Sequence, residues 1–432
     1  MANYNSFEKL VAKSLEKAPW IRDLVRFVYK RSVYLLYKKW NFDFELESGF
    51  IVKTPYNLIQ TDAPEKEDLF FGYYDKSPWN KSMSKAIFHS HDGNNSKIKI
   101  KLFDFKKNKA IVLAETETWN YQQGAMVQWI DDDHIVYNDI VRESWLGSIK
   151  LNVNNGKESR FDLPIQCVSN SGKVAISLNY SRLMWLRPDY GYQQNFDNFQ
   201  RDQQYDTDGL WAIDLESGKS ALIVSLERLT KISPQESMSN ANHKVNHVIY
   251  SPFDTHIVFL HRWISKTGKY SRLYVADRNG ENLKILLDER MISHYSWRND
   301  TDLIAWARYE GIDGYYLINI TSGLIKALNR EINLYGDGHP TFNMDYNNIF
   351  VSDSYPDKSR IRYLFTSDLD GQLQNIGRFF SPWAFENEER CDLHPRWAPN
   401  GNLLSIDSVH SGKRMTYFIL NENGYKVLSE NK

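Results

Sequence analysis

Four stretches of this chain follow one pattern: histidine, two residues, an aromatic, a polar turn, then a second apolar run. They are NHVIYSPFDTHIVFLHRW from Asn246, SHYSWRNDTDLIAWAR from Ser293, GHPTFNMDYNNIFVSDSY from Gly338 and LHPRWAPNGNLLSIDSVH from Leu393. Weaker copies come earlier: YYDKSPWNKSMSKAIFHS from Tyr73, MVQWIDDDHIVYND from Met126 and QCVSNSGKVAISLN from Gln166. Two further strand-like runs follow each copy, such as RLYVADRNG and NLKILLDE in the fourth, or MTYFILNENG and YKVLSE in the last. Four short strands per unit at a period of about 40–55 residues is the signature of a β-propeller. The fold class is therefore all-β: a seven-bladed β-propeller over residues 49–432, with a short helical N-terminal extension over residues 1–48. Residues 49–60 (GFIVKTPYNLIQ) either add a closing strand to the last blade or do not; the pattern alone leaves both open.

A propeller brings equivalent repeat positions together around one channel mouth although they lie tens of residues apart in sequence. The aligned position holds Tyr73, Met126, Ile165, His247, His294, His339 and His394. Four of the chain's 11 histidines thus share one repeat position. A single histidine at a strand start commonly just hydrogen-bonds a neighbouring loop; four at one position predict a site. The aromatics three residues on, Tyr250, Trp297, Phe342 and Trp397, suit packing between blades.

The ends of the second strands should reach the same face. They carry His89 and His91, Asp139 and Arg142, His261 and Arg262, Asp353 and Asp357, and His410 with Lys413 and Arg414. Imidazole with carboxylate accepts Mn²⁺, Fe²⁺, Ni²⁺ or Zn²⁺, and arginines grip carboxylate or phosphate through paired hydrogen bonds. The third unit contains an insertion, RLMWLRPDYGYQQNFDNFQRDQQYDTDG from Arg182, that reads as too polar for core. It is either a lid or subsite wall acting through Arg187, Tyr190, Tyr192, Arg201 and Tyr205, or a surface excursion without a role.

With 42% hydrophobic and 25% charged residues the chain is an ordinary globular one. A net charge of −1 argues against bulk nucleic-acid binding. Two cysteines, Cys167 and Cys391, exclude a disulfide framework. The start lacks the apolar core of a secretory signal. GxSxG, GxxxxGK[ST], GxGxxG and HExxH are all absent. Basic residues concentrate in residues 7–40, where Lys9, Lys13, Lys17, Arg22, Arg26, Lys30, Arg31, Lys38 and Lys39 face only Glu8, Glu16 and Asp23. This segment reads as helix interrupted at Pro19, with Trp, Tyr and Phe among the basic turns. It is either a helix for an anionic membrane surface or an appendage packed on the main domain.

The stretches NHVIYSPFDTHIVFLHRW, MISHYSW, GDGHPTFNMDYNNIFVSDSYPD and RCDLHPRWAPNGNLLSIDSVHSGKR resemble the oligogalacturonate lyases and related propellers. The likeness is architectural over residues 68–425 and specific over about residues 240–415. It implies a cytoplasmic seven-bladed propeller that cleaves uronate oligomers by Mn²⁺-assisted β-elimination. By position, His247 matches the family's base, and His294 and His394 match metal ligands. Glu389 stands where the family has glutamine and Asp392 where it has histidine, a harder and more anionic set. The resemblance thus implies His294, Glu389, Asp392 and His394 around a divalent metal, with Mn²⁺ first. His247, Arg201 and Arg262 are the candidate catalytic residues, and Tyr73, Asp75, His339, Arg187, Tyr192 and Arg414 the candidate contacts to an acidic glycan.

Three readings follow: metal-assisted elimination on an acidic oligosaccharide, a membrane-peripheral transferase or hydrolase of cell-surface polysaccharide assembly, and a non-enzymatic glycan- or protein-binding propeller. The histidine ring separates the first two from the third.

Overall fold

The computed structural model describes residues 19–93, 96–343 and 348–421. They form seven antiparallel sheets, each built from successive strands with the innermost at the axis, so the chain is a seven-bladed β-propeller. The apolar strand residues bury between blades. Ile257, Val258, Phe259 and Leu260 of blade 4, for instance, are fully enclosed. This run is apolar on both faces because a blade is covered by a neighbour on each side.

The ring closes with the chain's beginning. Strand β2 (Phe50–Lys53) pairs antiparallel with Met415–Asn421, Phe50 facing Asn421, and becomes the outer strand of blade 7. The expected outer strand YKVLSE falls at 425–430, outside the described residues. Strand β1 (Phe44–Leu46) adds a fifth strand to blade 6 by pairing with Leu373–Phe380. The extension expected over residues 1–48 therefore lends one strand to the propeller. Helix α1 (Pro19–Tyr37) precedes it; the part of the expected helix from Phe7 to Lys17 lies outside the described residues.

The inner strands are short because the chain leaves the ladder near the axis. Blades 2, 3, 6 and 7 keep only two paired inner residues: Gln128–Trp129, Cys167–Val168, Thr341–Phe342 and Arg396–Trp397. Blade 1 is interrupted between Asp68–Phe70 and a bridge from Trp79 to Ala86, and residues 73–76 loop inward. The aromatics three residues after the repeat position do join blades: Trp129 donates to the Pro78 carbonyl (2.7 Å) and Trp397 to that of Thr341 (3.1 Å).

The insertion of blade 3 is packed rather than excursive. It opens with helix α2 (Tyr180–Leu186), capped by the Asn179 side chain, and buries Leu183, Tyr190, Tyr192, Phe196 and Phe199 in the core. Its polar composition is misleading because the aromatics alone supply the buried face.

Candidate functional site

At the repeat position three residues adopt left-handed backbone: Met126 (φ 56°), His247 (φ 51°) and His394 (φ 45°). Such conformations are costly for residues with a Cβ and cluster where a side chain must be re-aimed. At His247 the ladder register shifts between Asn246 and Ile249, and at His294 between Ile292 and Tyr295. These bulges turn the imidazoles out of the blade planes and toward the axis.

The four histidines do converge. The His294 and His339 rings lie 4.2 Å apart and the His339 and His394 rings 4.4 Å apart. Tyr73 stands edge-on to His247 (5.0 Å) and His394 (5.1 Å), and Tyr74 packs against His247, His294 and His339. The Tyr74 hydroxyl bridges Tyr295, donating to its carbonyl and accepting from its N–H, both at 3.0 Å. Two tyrosines of blade 1 thus fill the centre that blades 4 to 7 surround.

Each of three imidazoles is held from behind through Nδ1. His294 Nδ1 lies 3.0 Å from Asp337, His339 Nδ1 2.7 Å from Asp353, and His394 Nδ1 2.8 Å from the Gly72 carbonyl. An oxygen behind Nδ1 keeps the proton there and leaves Nε2 to face the cluster. The Nε2 atoms of His339 and His394 are buried without a hydrogen-bond partner among the described residues, as are both ring nitrogens of His247. Asp75 stands 3.6 Å from His247 Nε2, an ion-pair distance only if the ring is protonated, and Asp75 is already bound by Lys76 at 2.8 Å.

Burial pushes His294 down to about 4, against the opposing pull of Asp337. Burial also holds His247 well below the ordinary histidine value, reinforced by His294 and Lys76, and His394 likewise, reinforced by His339. These three are neutral imidazoles at neutral pH, the form that binds a metal or takes a proton.

Donor atoms of His339, Asp392 and His394 all lie within 4.8 Å of one another. With His294 alongside His339, this set suits a borderline divalent ion in its donor chemistry. Its composition differs from the expected set: the donor atoms that group together belong to His339, Asp392 and His394, and neither His294 nor Glu389 is among them. Glu389 is exposed on a short turn. Arg414 donates to its backbone carbonyl and Gln122 to that of Arg390 (2.7 Å), which holds the segment with the Glu389 carboxylate outside. Asp392 reaches the cluster, but its carboxylate is shared with Arg390 (2.6 Å) and Arg362 (2.8 Å). Burial alone would raise the Asp392 carboxyl; the two guanidiniums outweigh it and hold it well below the usual range.

Above this floor opens a small pocket of about 40 Å³, well below the size of an ordinary ligand site. Tyr73, Arg187, Tyr190, His247, Arg262, His294 and Tyr355 line it, with Asn246 and Ser293. Arg187 and Tyr190 come from the insertion, and Asp189 beside them binds Arg390 at 3.2 Å. The insertion therefore roofs the histidines. Arg262 donates to the Ile292 carbonyl (3.0 Å), and its Nε is buried without a partner.

Three expected contacts lie elsewhere. Arg201 is exposed, its guanidinium 5.9 Å from the Trp185 ring. Tyr192 is core: it stacks on Tyr180 at 4.5 Å and its hydroxyl accepts from Asn138. Arg414 serves the Glu389–Arg390 backbone and lies over Tyr121 at 4.2 Å. Among the second-strand ends, His89 and His410 are also structural. His89 donates to the Phe71 carbonyl (2.9 Å) and accepts from the Ala125 N–H (3.0 Å). Its ring lies so close to Gly124 that any Cβ there would overlap it.

Sequence reasoning missed Tyr74, Asp337, Tyr355 and Lys244. Lys244 is 4% exposed and sits directly across from Arg262 in the ladder of blade 4. Burial, then Arg262 and Arg187, hold its ammonium well below the ordinary lysine value. Of the cations on the pocket wall, Arg187 is paired with Asp189 at 3.6 Å, and Arg262 has no counter-ion among the described residues, which leaves Arg262 to meet an anion.

No family model matches the chain, and no curated protein matches it. The fold is similar to a solved oligogalacturonate lyase in complex with manganese: TM-score 0.62 over 89% of this chain and 97% of that one, at 17% identity. It is similar also to the oligogalacturonate lyase of Vibrio parahaemolyticus: TM-score 0.60 over 88% and 98%, at 14% identity. The chain thus shares the whole seven-bladed architecture of these lyases, at an identity that speaks for the fold alone.

Proposed function

We propose that the protein cleaves an acidic, uronate-containing oligosaccharide by β-elimination, with a divalent metal, Mn²⁺ first, held at the histidine cluster. One observation carries this reading: His339 and His394, each tied through Nδ1, keep buried, unpartnered Nε2 atoms beside the Asp392 carboxylate, next to His247 with neither nitrogen hydrogen-bonded. Two roles are needed for elimination, a Lewis acid on the uronate carboxylate and a neutral base for the C5 proton.

His339, Asp392 and His394 would hold the metal, with His294 alongside His339. When bound, the ion polarises the carboxylate and acidifies the adjacent C–H. His247 removes the proton from C5. The C4–O bond breaks, a C4–C5 double bond forms, and the departing oxygen takes a proton from water. Arg262 and Arg187, on the pocket wall, balance the charge that builds on the carboxylate oxygens. Tyr73, edge-on to His247, fixes the plane of the base.

The test is ultraviolet detection of the new C4–C5 double bond. Protein with added Mn²⁺ is given a panel of oligouronides beside a His247→Ala control. Absorbance that rises with the protein and vanishes in the control supports the reading. A flat trace across the panel sinks elimination and leaves glycan binding or polysaccharide assembly.

A further inference from the structure

We infer that α1 is a docking surface for an anionic membrane, held against the propeller by its aromatic side with its aliphatic side outward. This inference is independent of what the histidine site does. More than half of the large apolar side chains that stand exposed among the described residues fall between Leu24 and Phe44.

Their arrangement on the helix is the reverse of an ordinary surface helix. At about 100° per residue, Leu24, Val28 and Leu35 share a strip roughly 40° wide. These three are 56%, 53% and 72% exposed, and Val25 and Leu36 widen the strip on one side. The half-buried residues Tyr29, Lys30, Val33 and Tyr34 lie on the opposite side. That inner side makes the contacts: Tyr34 meets Trp383 edge-on at 5.5 Å, and Lys30 lies 3.9 Å from Glu386. Arg31, at the margin, stacks over Trp383 at 4.2 Å. Blade 6 therefore fixes the rotation of the helix and leaves its leucines facing away.

Charge selects the occupant. The strip is bordered by Arg31 and, just past the helix end, by Lys38 and Lys39, and it ends at Trp40, 76% exposed with the Lys38 ammonium 3.9 Å from its ring. An apolar strip edged with cations and closed by a tryptophan matches the headgroup boundary of an anionic leaflet, where each feature finds its own depth. A second copy of this basic strip would place like charges together. No described helix is long and apolar enough to cross a membrane, so the contact is peripheral.

The experiment is flotation of the full chain with vesicles of phosphatidylglycerol and phosphatidylethanolamine. A parallel set uses phosphatidylcholine alone. The wild type is expected to float with the anionic vesicles and to stay largely in the aqueous layer with the neutral ones. The triple variant Leu24→Asp/Val28→Asp/Leu35→Asp should lose flotation while keeping the wild-type unfolding midpoint, since all three side chains are exposed. Lys38→Glu/Lys39→Glu should weaken the anionic-vesicle partition by about tenfold or more. Wild-type protein that fails to float, or a triple variant that floats equally well, overturns the inference. So does a dimer by light scattering that the triple variant converts to monomer without any flotation; that result assigns the strip to a second copy.

Discussion

His89 and His339 are both buried on the inner strands' side of the propeller, at 0% and 1% exposure, yet they do opposite things. His89 spends both nitrogens on backbone, donating to Phe71 and accepting from Ala125, and so staples blade 1 to the loop before blade 2. His339 spends only Nδ1, on Asp353, and Nε2 is left facing two other imidazoles. Burial therefore does not distinguish structural from functional histidine here. Counting the acceptors behind each ring does, because a buried nitrogen without a partner is costly unless something else occupies it.

The largest effect that would sharpen this contrast is on turnover. His247→Ala should cut the elimination rate by about 10³-fold or more, with a loss of stability that comes from packing against Tyr73, Tyr74 and Tyr295 alone, since neither ring nitrogen is hydrogen-bonded. An equal loss of activity and stability would erase the distinction. Next, titration calorimetry with Mn²⁺ should find binding weakened about 100-fold in His339→Ala and His394→Ala, and about 10–100-fold in Asp353→Asn, which acts through His339. Unchanged Mn²⁺ affinity in all three removes the metal from the site.

The reverse experiment is His89→Ala. It leaves a carbonyl and an N–H unsatisfied and a void against Gly124, so stability should fall by about 2–4 kcal/mol while Mn²⁺ affinity stays as in the wild type. Acid tests the same group. Burial lowers His89 and His410 to about 4 each. The unfolded chain binds those protons near pH 6.5 and the folded chain does not, so stability is full above about 6.5 and declines as pH falls toward 4. Chemical denaturation at pH 7, 6, 5 and 4 should follow that slope, and a flat profile would contradict it. The smallest expected effect separates two arginines: Arg201→Ala should change kcat/KM less than about twofold, whereas Arg262→Ala should lower it by about tenfold or more.

Much of this was legible because a propeller writes its geometry at a fixed period. His247, His294, His339 and His394 could be aligned without coordinates, and alignment in a ring is proximity. What stood behind them was not legible. Asp337 and the Gly72 carbonyl reach His294 and His394 from other blades, at sequence separations no periodic pattern encodes. Glu389 was placed inside by analogy, yet its direction is set by Arg414 and Gln122 pulling on backbone carbonyls. Tyr192 and Arg201 sit in one polar insertion, and only packing tells that one is core and the other exposed. Lys244 looked like an ordinary strand lysine; its cross-strand neighbour Arg262 is what makes it unusual.

The join between β2 and the last blade also sets a timetable. Phe50 leaves the ribosome long before its partner Asn421, with all seven blades made in between. At roughly 5–20 residues per second, β2 waits tens of seconds for its partner strand. During that wait blades 1 to 6 can stack on one another in order, while the ring stays an open arc with an unpaired edge at each end. Closure is then a single late event whose loop-closure entropy spans all seven blades. Folding of this protein should accordingly be limited by one slow, synthesis-gated step, and a chaperone that shields strand edges would act on the arc rather than on the finished ring.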